Sequence, residues 1–171
     1  NTEEHRRETL QVARESVVLL KNEKQRLPLH PEKTKKLLVI GENAECVHSN
    51  GGGSAEIKAL YEITPLMGIK TLLGGNAEVR FIKGYCRDGK VEKSDVNWQE
   101  ASLENGGGST KTGIASVDAA LKAKRKSLRR EAVELAAQYE DVILIGGLNH
   151  DCDSEGNDRA DMKLPYDMRL M

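Results

Sequence analysis

The chain has 171 residues, 38% apolar and 31% charged, a composition that suits one soluble domain with a modest core and not a disordered segment. Lys and Arg number 26 against 27 Asp and Glu, so a net charge of −1 gives no electrostatic drive toward nucleic acid or an anionic membrane. No apolar run approaches the roughly 20 residues of a membrane-spanning helix, and Asn1-Thr2-Glu3-Glu4 has neither the basic region nor the hydrophobic core of a signal peptide.

Thr2 is a plausible N-cap for a first helix, with Glu3 and Glu4 in its positive first turn. Leu10, Ala13, Val17 and Leu20 recur at helical spacing and predict a buried stripe that runs until Lys21-Asn22-Glu23. Leu27-Pro28-Leu29 and Pro31 force an extended connection. Lys36-Leu37-Leu38-Val39-Ile40-Gly41 then reads as a short strand covered on both faces, the pattern of a parallel sheet.

A polar loop, Glu42-Asn43-Ala44-Glu45, leads to Ser49-Asn50-Gly51-Gly52-Gly53-Ser54-Ala55. Three adjacent glycines make either a slack linker or a place where backbone approaches something closely, and composition alone favours slack. Thr64-Pro65-Leu66 predicts a capped helix start, Leu66, Ile69, Leu72 and Leu73 its buried face, and Gly74-Gly75-Asn76 its end. Glu78-Val79-Arg80-Phe81-Ile82 alternates like a strand. From Cys86 to about residue 128 the chain is polar, with Asp88-Gly89 and Asn105-Gly106-Gly107-Gly108-Ser109 as turn signals, and is predicted to be an insertion. Trp98 within it packs the loop down or stacks on a ligand, packing being the more frequent role. The basic stretch from Leu121 to Arg130 continues into a helix, and Asp141-Val142-Ile143-Leu144-Ile145-Gly146-Gly147-Leu148 is the strongest candidate for a buried strand.

Alternation of strand and helix predicts an α/β fold: a flavodoxin-like, doubly wound, mostly parallel sheet with helices on both faces. Only three strands are evident, so residues 1–171 are expected to be part of such a domain, with the polar insertion at about 86–128. No Rossmann glycine fingerprint and no phosphate-binding Gly-Lys-Ser/Thr loop occurs, so no nucleotide cofactor is expected. Cys46, Cys86 and Cys152 are odd in number and without a CxxC pair, which argues against a disulfide framework and fits a soluble, cytoplasmic setting somewhat better than a secreted one. Cys46-Val47-His48 and His150-Asp151-Cys152 are the one constellation that suggests zinc, but neither has a finger spacing, and no metal is expected.

The segment Asp153-Ser154-Glu155-Gly156-Asn157-Asp158-Arg159 follows the last strand, where open α/β sheets place their chemistry, and Leu164-Pro165 closes it. Glu155 is its candidate for general acid or base. The reading that needs no chemistry is a helix-capping carboxylate in a non-catalytic binding or interaction module. A regulatory domain built on the two Cys/His pairs is a further alternative.

Several segments together resemble the family 3 glycoside hydrolases, in the α/β domain that usually follows their catalytic barrel. Arg14-Glu15-Ser16-Val17-Val18-Leu19-Leu20-Lys21-Asn22-Glu23 with Leu27-Pro28-Leu29 resembles the start of that domain, and Leu38-Val39-Ile40-Gly41-Glu42-Asn43-Ala44 its first strand and loop. Gly51-Gly52-Gly53-Ser54-Ala55 with Thr64-Pro65-Leu66-Met67-Gly68-Ile69 is similar to its glycine loop and next helix, and residues 153–165 to the segment that holds the catalytic acid/base in β-glucosidase-like members.

The resemblance implies a retaining β-glycosidase acting on terminal β-linked sugars of an oligosaccharide or glycoside, β-glucosidase-like, with a β-xylosidase as the alternative within the family. It implies Glu155 as the acid/base, contact of Ser54 and Gly53 with the bound sugar, and an aspartate nucleophile on a barrel domain that these residues do not resemble. On this reading the isolated chain is inactive. Asp158 and Arg159 are expected to brace the segment around Glu155 rather than to form a second catalytic pair. His150 either caps the strand end or lines the cleft, capping being the better reading.

Overall fold

The computed structural model describes residues 2–47, 59–87, 115–149, 152, 159 and 161–171. They divide into two units, Asn1–His30 and Pro31–Met171.

In the first unit, helix α1 spans Glu3–Glu15, and the Thr2 hydroxyl accepts the His5 N–H at 3.2 Å, as its sequence implies. It ends earlier than predicted. The Ser16 hydroxyl donates to the Ala13 carbonyl at 2.8 Å and the Ser16 N–H to the Val12 carbonyl at 3.0 Å, and the β-branched pair Val17-Val18 follows. A serine that bonds back to the last turn and two residues with restricted χ1 favour termination there. Val17 and Leu20 therefore leave the helical face and are 76% and 91% exposed; Leu10 and Ala13 are exposed too, so the predicted stripe is not buried. The Asn22 side chain closes the turn that follows, donating to the Leu27 carbonyl and accepting the Leu27 N–H, both at 2.9 Å.

Among the described residues the second unit is built on three parallel strands, β1 (Lys36–Ile40), β2 (Glu78–Ile82) and β3 (Asp141–Leu144), in the order β2-β1-β3. Helix α2 (Pro65–Leu73) links β1 to β2, and helix α3 (Ala115–Ala136) lies between β2 and β3. Leu37 and Val39 of β1 pack with Leu66, Ile69 and Leu73 of α2. Leu38 and Ile40, one residue out of phase, pack with Ala132, Leu135 and Ala136 of α3. Because successive strand side chains point to opposite faces, the two helices cover opposite sides of the sheet. This is the doubly wound α/β arrangement the alternation predicted, and it explains why Leu37, Leu38, Val39 and Ile40 are all buried.

Helix α2 starts and stops as its sequence implies. The Thr64 hydroxyl accepts the Met67 N–H at 3.2 Å, Pro65 opens the helix, and Gly74 closes it at φ 57° while its N–H reaches the Lys70 carbonyl. Leu72, predicted to be buried, is 71% exposed, since the stripe facing the sheet is Leu66, Ile69 and Leu73. Helix α3 begins at Ala115, inside the stretch read as a polar insertion.

Strand β3 departs from expectation. Its consecutive apolar residues predicted burial on both faces, yet Val142 and Leu144 are 39% and 50% exposed. The order β2-β1-β3 puts β3 at an edge, and α3 packs over Leu38, Ile40 and Ile82, leaving the β3 side of that face uncovered among the described residues.

Candidate functional site

In a doubly wound sheet the chain leaves the central strand in opposite directions toward its two neighbours, and the strand ends at that reversal diverge into a crevice. Here β2 lies on one side of β1 and β3 on the other, so the crevice is at the carboxyl ends of β1 and β3. Gly41 ends β1 at φ 122°, and a Cβ there would collide with the Ile145 carbonyl, so only glycine allows this approach of the two strand ends. Residues Glu42–Glu45 then form a short 3₁₀ turn that carries Asn43 into the interface.

Asn43 is 3% exposed and every polar group it brings is answered. Its N–H donates to the Tyr85 Oη at 2.9 Å, and the Tyr85 hydroxyl in turn donates to the Ile145 carbonyl at 3.0 Å. Burial pushes the Tyr85 phenol up to about 12, so it stays neutral and keeps the proton that this second bond requires. The Asn43 Nδ2 faces the carbonyls of Gly147 and Leu148 at 3.1 and 3.4 Å. That fixes the amide and leaves Oδ1 to accept from Asn149 Nδ2 at 3.3 Å. Asn149 Oδ1 then accepts the Tyr166 hydroxyl at 3.2 Å. The result is one hydrogen-bonded chain from the end of β1, through the end of β3, to Tyr166.

Tyr166 is held on its ring as well. Its ring stacks on Tyr85 with centroids 6.3 Å apart and an interplanar angle of 11°, and the Arg125 guanidinium sits 5.3 Å from its centroid. Arg125, only 8% exposed on α3, donates from Nε to the Cys86 carbonyl at 3.1 Å, so a cation from one helix ties β2's exit to Tyr166. Tyr166 and Asp167 both have positive φ, 57° and 59°. Such conformations are uncommon for residues with a side chain and persist where the surroundings over-determine them. The Gly147 N–H points at Met168 Sδ at 3.2 Å, which adds a further tie across the same edge.

A second cluster flanks this chain. Glu42 accepts from Lys83 Nζ at 2.8 Å and from the Arg87 N–H at 2.6 Å. The hydrogen bond to Glu42 holds the Lys83 ammonium above its ordinary range. Arg87 also reaches Cys46 Sγ at 3.0 Å.

Of the residues the sequence nominated, Glu155, Ser54, Gly53 and Asp158 lie outside the described residues, as do His48, His150 and Trp98. Arg159 is exposed and approaches Met162 Sδ at 3.3 Å. Cys152 turns back on Asn149, its N–H donating to the Asn149 carbonyl at 3.0 Å, so the chain leaving β3 is tied down at once. The three cysteines form no disulfide. Among the described residues no three His, Cys, Asp or Glu side chains are placed to hold a metal ion, and no helix is long and apolar enough to cross a membrane.

Sequence reasoning passed over Tyr85, Asn149, Tyr166 and Arg125, and saw Asn43 only as a loop residue. An asparagine two residues after the glycine that stops a strand was the available signal for Asn43. Tyr85 and Tyr166 carried none.

Comparison with known proteins agrees with this architecture. Beta-glucosidase BoGH3A of Bacteroides ovatus is 36% identical over 96% of this chain, which covers 20% of that relative. A beta-xylosidase of Formosa agariphila is 28% identical over 95% of the chain and 18% of its own length, and probable beta-glucosidase K of Aspergillus fumigatus is 36% identical over 57% of the chain and 13% of its own length. The chain thus spans at most about a fifth of these relatives. Residues 17–171 match the glycosyl hydrolase family 3 C-terminal domain, and with the doubly wound sheet and a polar chain across its carboxyl edge, the protein belongs to glycosyl hydrolase family 3.

Proposed function

We propose that this chain, residues 1–171, is a partial C-terminal-type α/β domain of a retaining β-glycosidase of the β-glucosidase kind, carrying a polar insertion at about 86–128. It would supply the general acid/base, Glu155, to a site whose aspartate nucleophile and most sugar contacts lie on a barrel domain of the same protein. The observation that carries this reading is positional. The segment 150–165, which contains Glu155, is tied at both ends to the carboxyl edge of the sheet, through Asn149 and Tyr166, in a chain of this family.

In a retaining mechanism two carboxyl groups about 5 Å apart flank the glycosidic bond. The nucleophile attacks the anomeric carbon while protonated Glu155 delivers its proton to the departing oxygen. Glu155, now a carboxylate, then takes a proton from the water that releases the sugar. A partly desolvated position beside a second carboxylate keeps such an acid protonated until it is needed. Ser54 and Gly53 contact the bound sugar on this reading, and Asp158 and Arg159 brace the segment. No metal or other cofactor takes part, and neither nucleic acid nor a membrane is a partner. Three cysteines without a disulfide suit a cytoplasmic setting.

Resemblance to the Formosa agariphila beta-xylosidase favours a second reading within the family, a xylose-releasing enzyme with the same acid/base. Both differ from a non-catalytic binding module in one experiment. In the full-length protein Glu155→Ala is expected to cleave an aryl β-glucoside or β-xyloside poorly, with azide restoring turnover because it needs no general base. Unchanged activity in Glu155→Ala overturns the proposal.

A further inference from the structure

The residues that bracket the segment 150–165 are bonded to each other. Asn149, its last residue before, and Tyr166, its first after, are 17 positions apart and joined through Tyr166 Oη and Asn149 Oδ1 at 3.2 Å. Both are almost inaccessible, at 3% and 4%. The bond does not stand alone, because Asn149 is oriented by Asn43, and Asn43 by the two carbonyls of Gly147 and Leu148. The Tyr166 ring is fixed between Tyr85 and the Arg125 guanidinium.

We infer that Asn43, Asn149 and Tyr166 are positioning residues for the acid/base, clasping the two ends of its segment against the carboxyl edge of β1 and β3. The inference rests on the assignment of Glu155 given above. Two observations separate a clasp from an ordinary polar core. Tyr166 and Asp167 hold successive positive φ angles, a strained conformation for residues with a side chain. A connection kept only for stability gains nothing from that strain, whereas a segment that must leave the sheet edge at a set angle does. The bonds also run both ways between the strand exits, since Asn43 after β1 is fixed by the Gly147 and Leu148 carbonyls beyond β3, and Asn149 beyond β3 is fixed by Asn43. Tyr166, which follows the segment, is therefore held to the exits of both β1 and β3.

Leaving-group chemistry distinguishes a misplaced acid from a generally damaged enzyme. An acid that has drifted from the glycosidic oxygen matters for a phenyl β-glucoside, whose leaving group needs a proton, and hardly for a dinitrophenyl β-glucoside, whose leaving group does not. In the full-length protein, Tyr166→Phe keeps the ring contacts and removes the bond to Asn149. It is expected to lower kcat/KM about 10- to 100-fold for the phenyl substrate, the scale of a displaced catalytic group, and less than about threefold for the dinitrophenyl one. The ratio of the two rates cancels any loss of folded enzyme, and Asn149→Ala is expected to move it the same way. Equal falls on both substrates, or no fall on either, overturn the clasp. Glu155→Gln is the reference: a ratio that stays put there removes the acid/base assignment itself, and a ratio that moves there but in neither Tyr166→Phe nor Asn149→Ala removes only the positioning role.

Discussion

Asn43 and Asn149, 106 positions apart in the chain, meet side chain to side chain at 3.3 Å across the carboxyl ends of two adjacent parallel strands. Neither is a catalytic type of residue in this arrangement. Their amides act as a ruler between β1 and β3, and the segment that carries Glu155 starts from the second of them.

Tyr85 is the bracket under that ruler. Removing its hydroxyl strands the buried Asn43 N–H and takes a donor from the part-buried Ile145 carbonyl. Tyr85→Phe is expected to destabilise the chain by about 1–3 kcal/mol, the cost of leaving a buried polar group unsatisfied. Tyr61, 62% exposed, is the control: Tyr61→Phe is expected to change urea-unfolding stability by less than about 0.5 kcal/mol.

One face of the sheet gives a contrast in apolar substitutions between its central and its edge strand. Leu38, fully buried at the centre of β1, and Leu144, half exposed on β3, project to the same side. Leu38→Ala is expected to cost about 2–5 kcal/mol and Leu144→Ala well under half of that, measured by urea unfolding. Similar losses at the two positions would show that the α3 face of β3 is covered after all.

Alkaline pH should weaken the fold in a defined window. Lys83 is held above its ordinary 10.5 by the bond to Glu42, and Tyr85 is raised from 10.0 to about 12 by burial. In both cases the folded value exceeds the unfolded one, so the proton is bound more tightly in the native state. Their contribution is complete below pH 10 and is lost as pH climbs through the folded values. Unfolding free energy, measured against pH, is expected to fall across that window, and to fall less steeply in a Lys83→Met, Tyr85→Phe double variant. An equal slope in the two proteins would contradict the assignment.

The parts of the fold that were legible in the sequence are those decided within a few residues. Thr64, Pro65 and Gly74 cap α2 through their own side chains and backbone preferences, and β1 and β2 have the bounds that their branched and alternating residues imply. Helix α1 stops short of its apolar spacing because Ser16 bonds back to Ala13, a local contact that spacing does not report. Strand β3 was misjudged because consecutive apolar residues report what a strand tolerates, while its exposure depends on its place in the order β2-β1-β3. Arg125 looked like one more solvated charge in a basic run, yet it is buried against the Tyr166 ring and the Cys86 carbonyl. The candidate site was half visible. A glutamate after the last strand, in the company of the family's other segments, pointed to Glu155; the Asn43, Tyr85, Asn149 and Tyr166 network beneath it needs the sheet order before its members become neighbours.

The assignment of Glu155 is tested most directly by the pH dependence of kcat/KM in the full-length protein with a phenyl β-glucoside, whose leaving group needs the acid's proton. Wild type is expected to lose activity on the alkaline side as its acid gives up its proton, and Glu155→Gln, which has no proton to lose there, is expected to keep a flat alkaline side with the acidic limb unchanged. An alkaline limb that survives in Glu155→Gln would contradict the account, because the titrating acid would then be another residue.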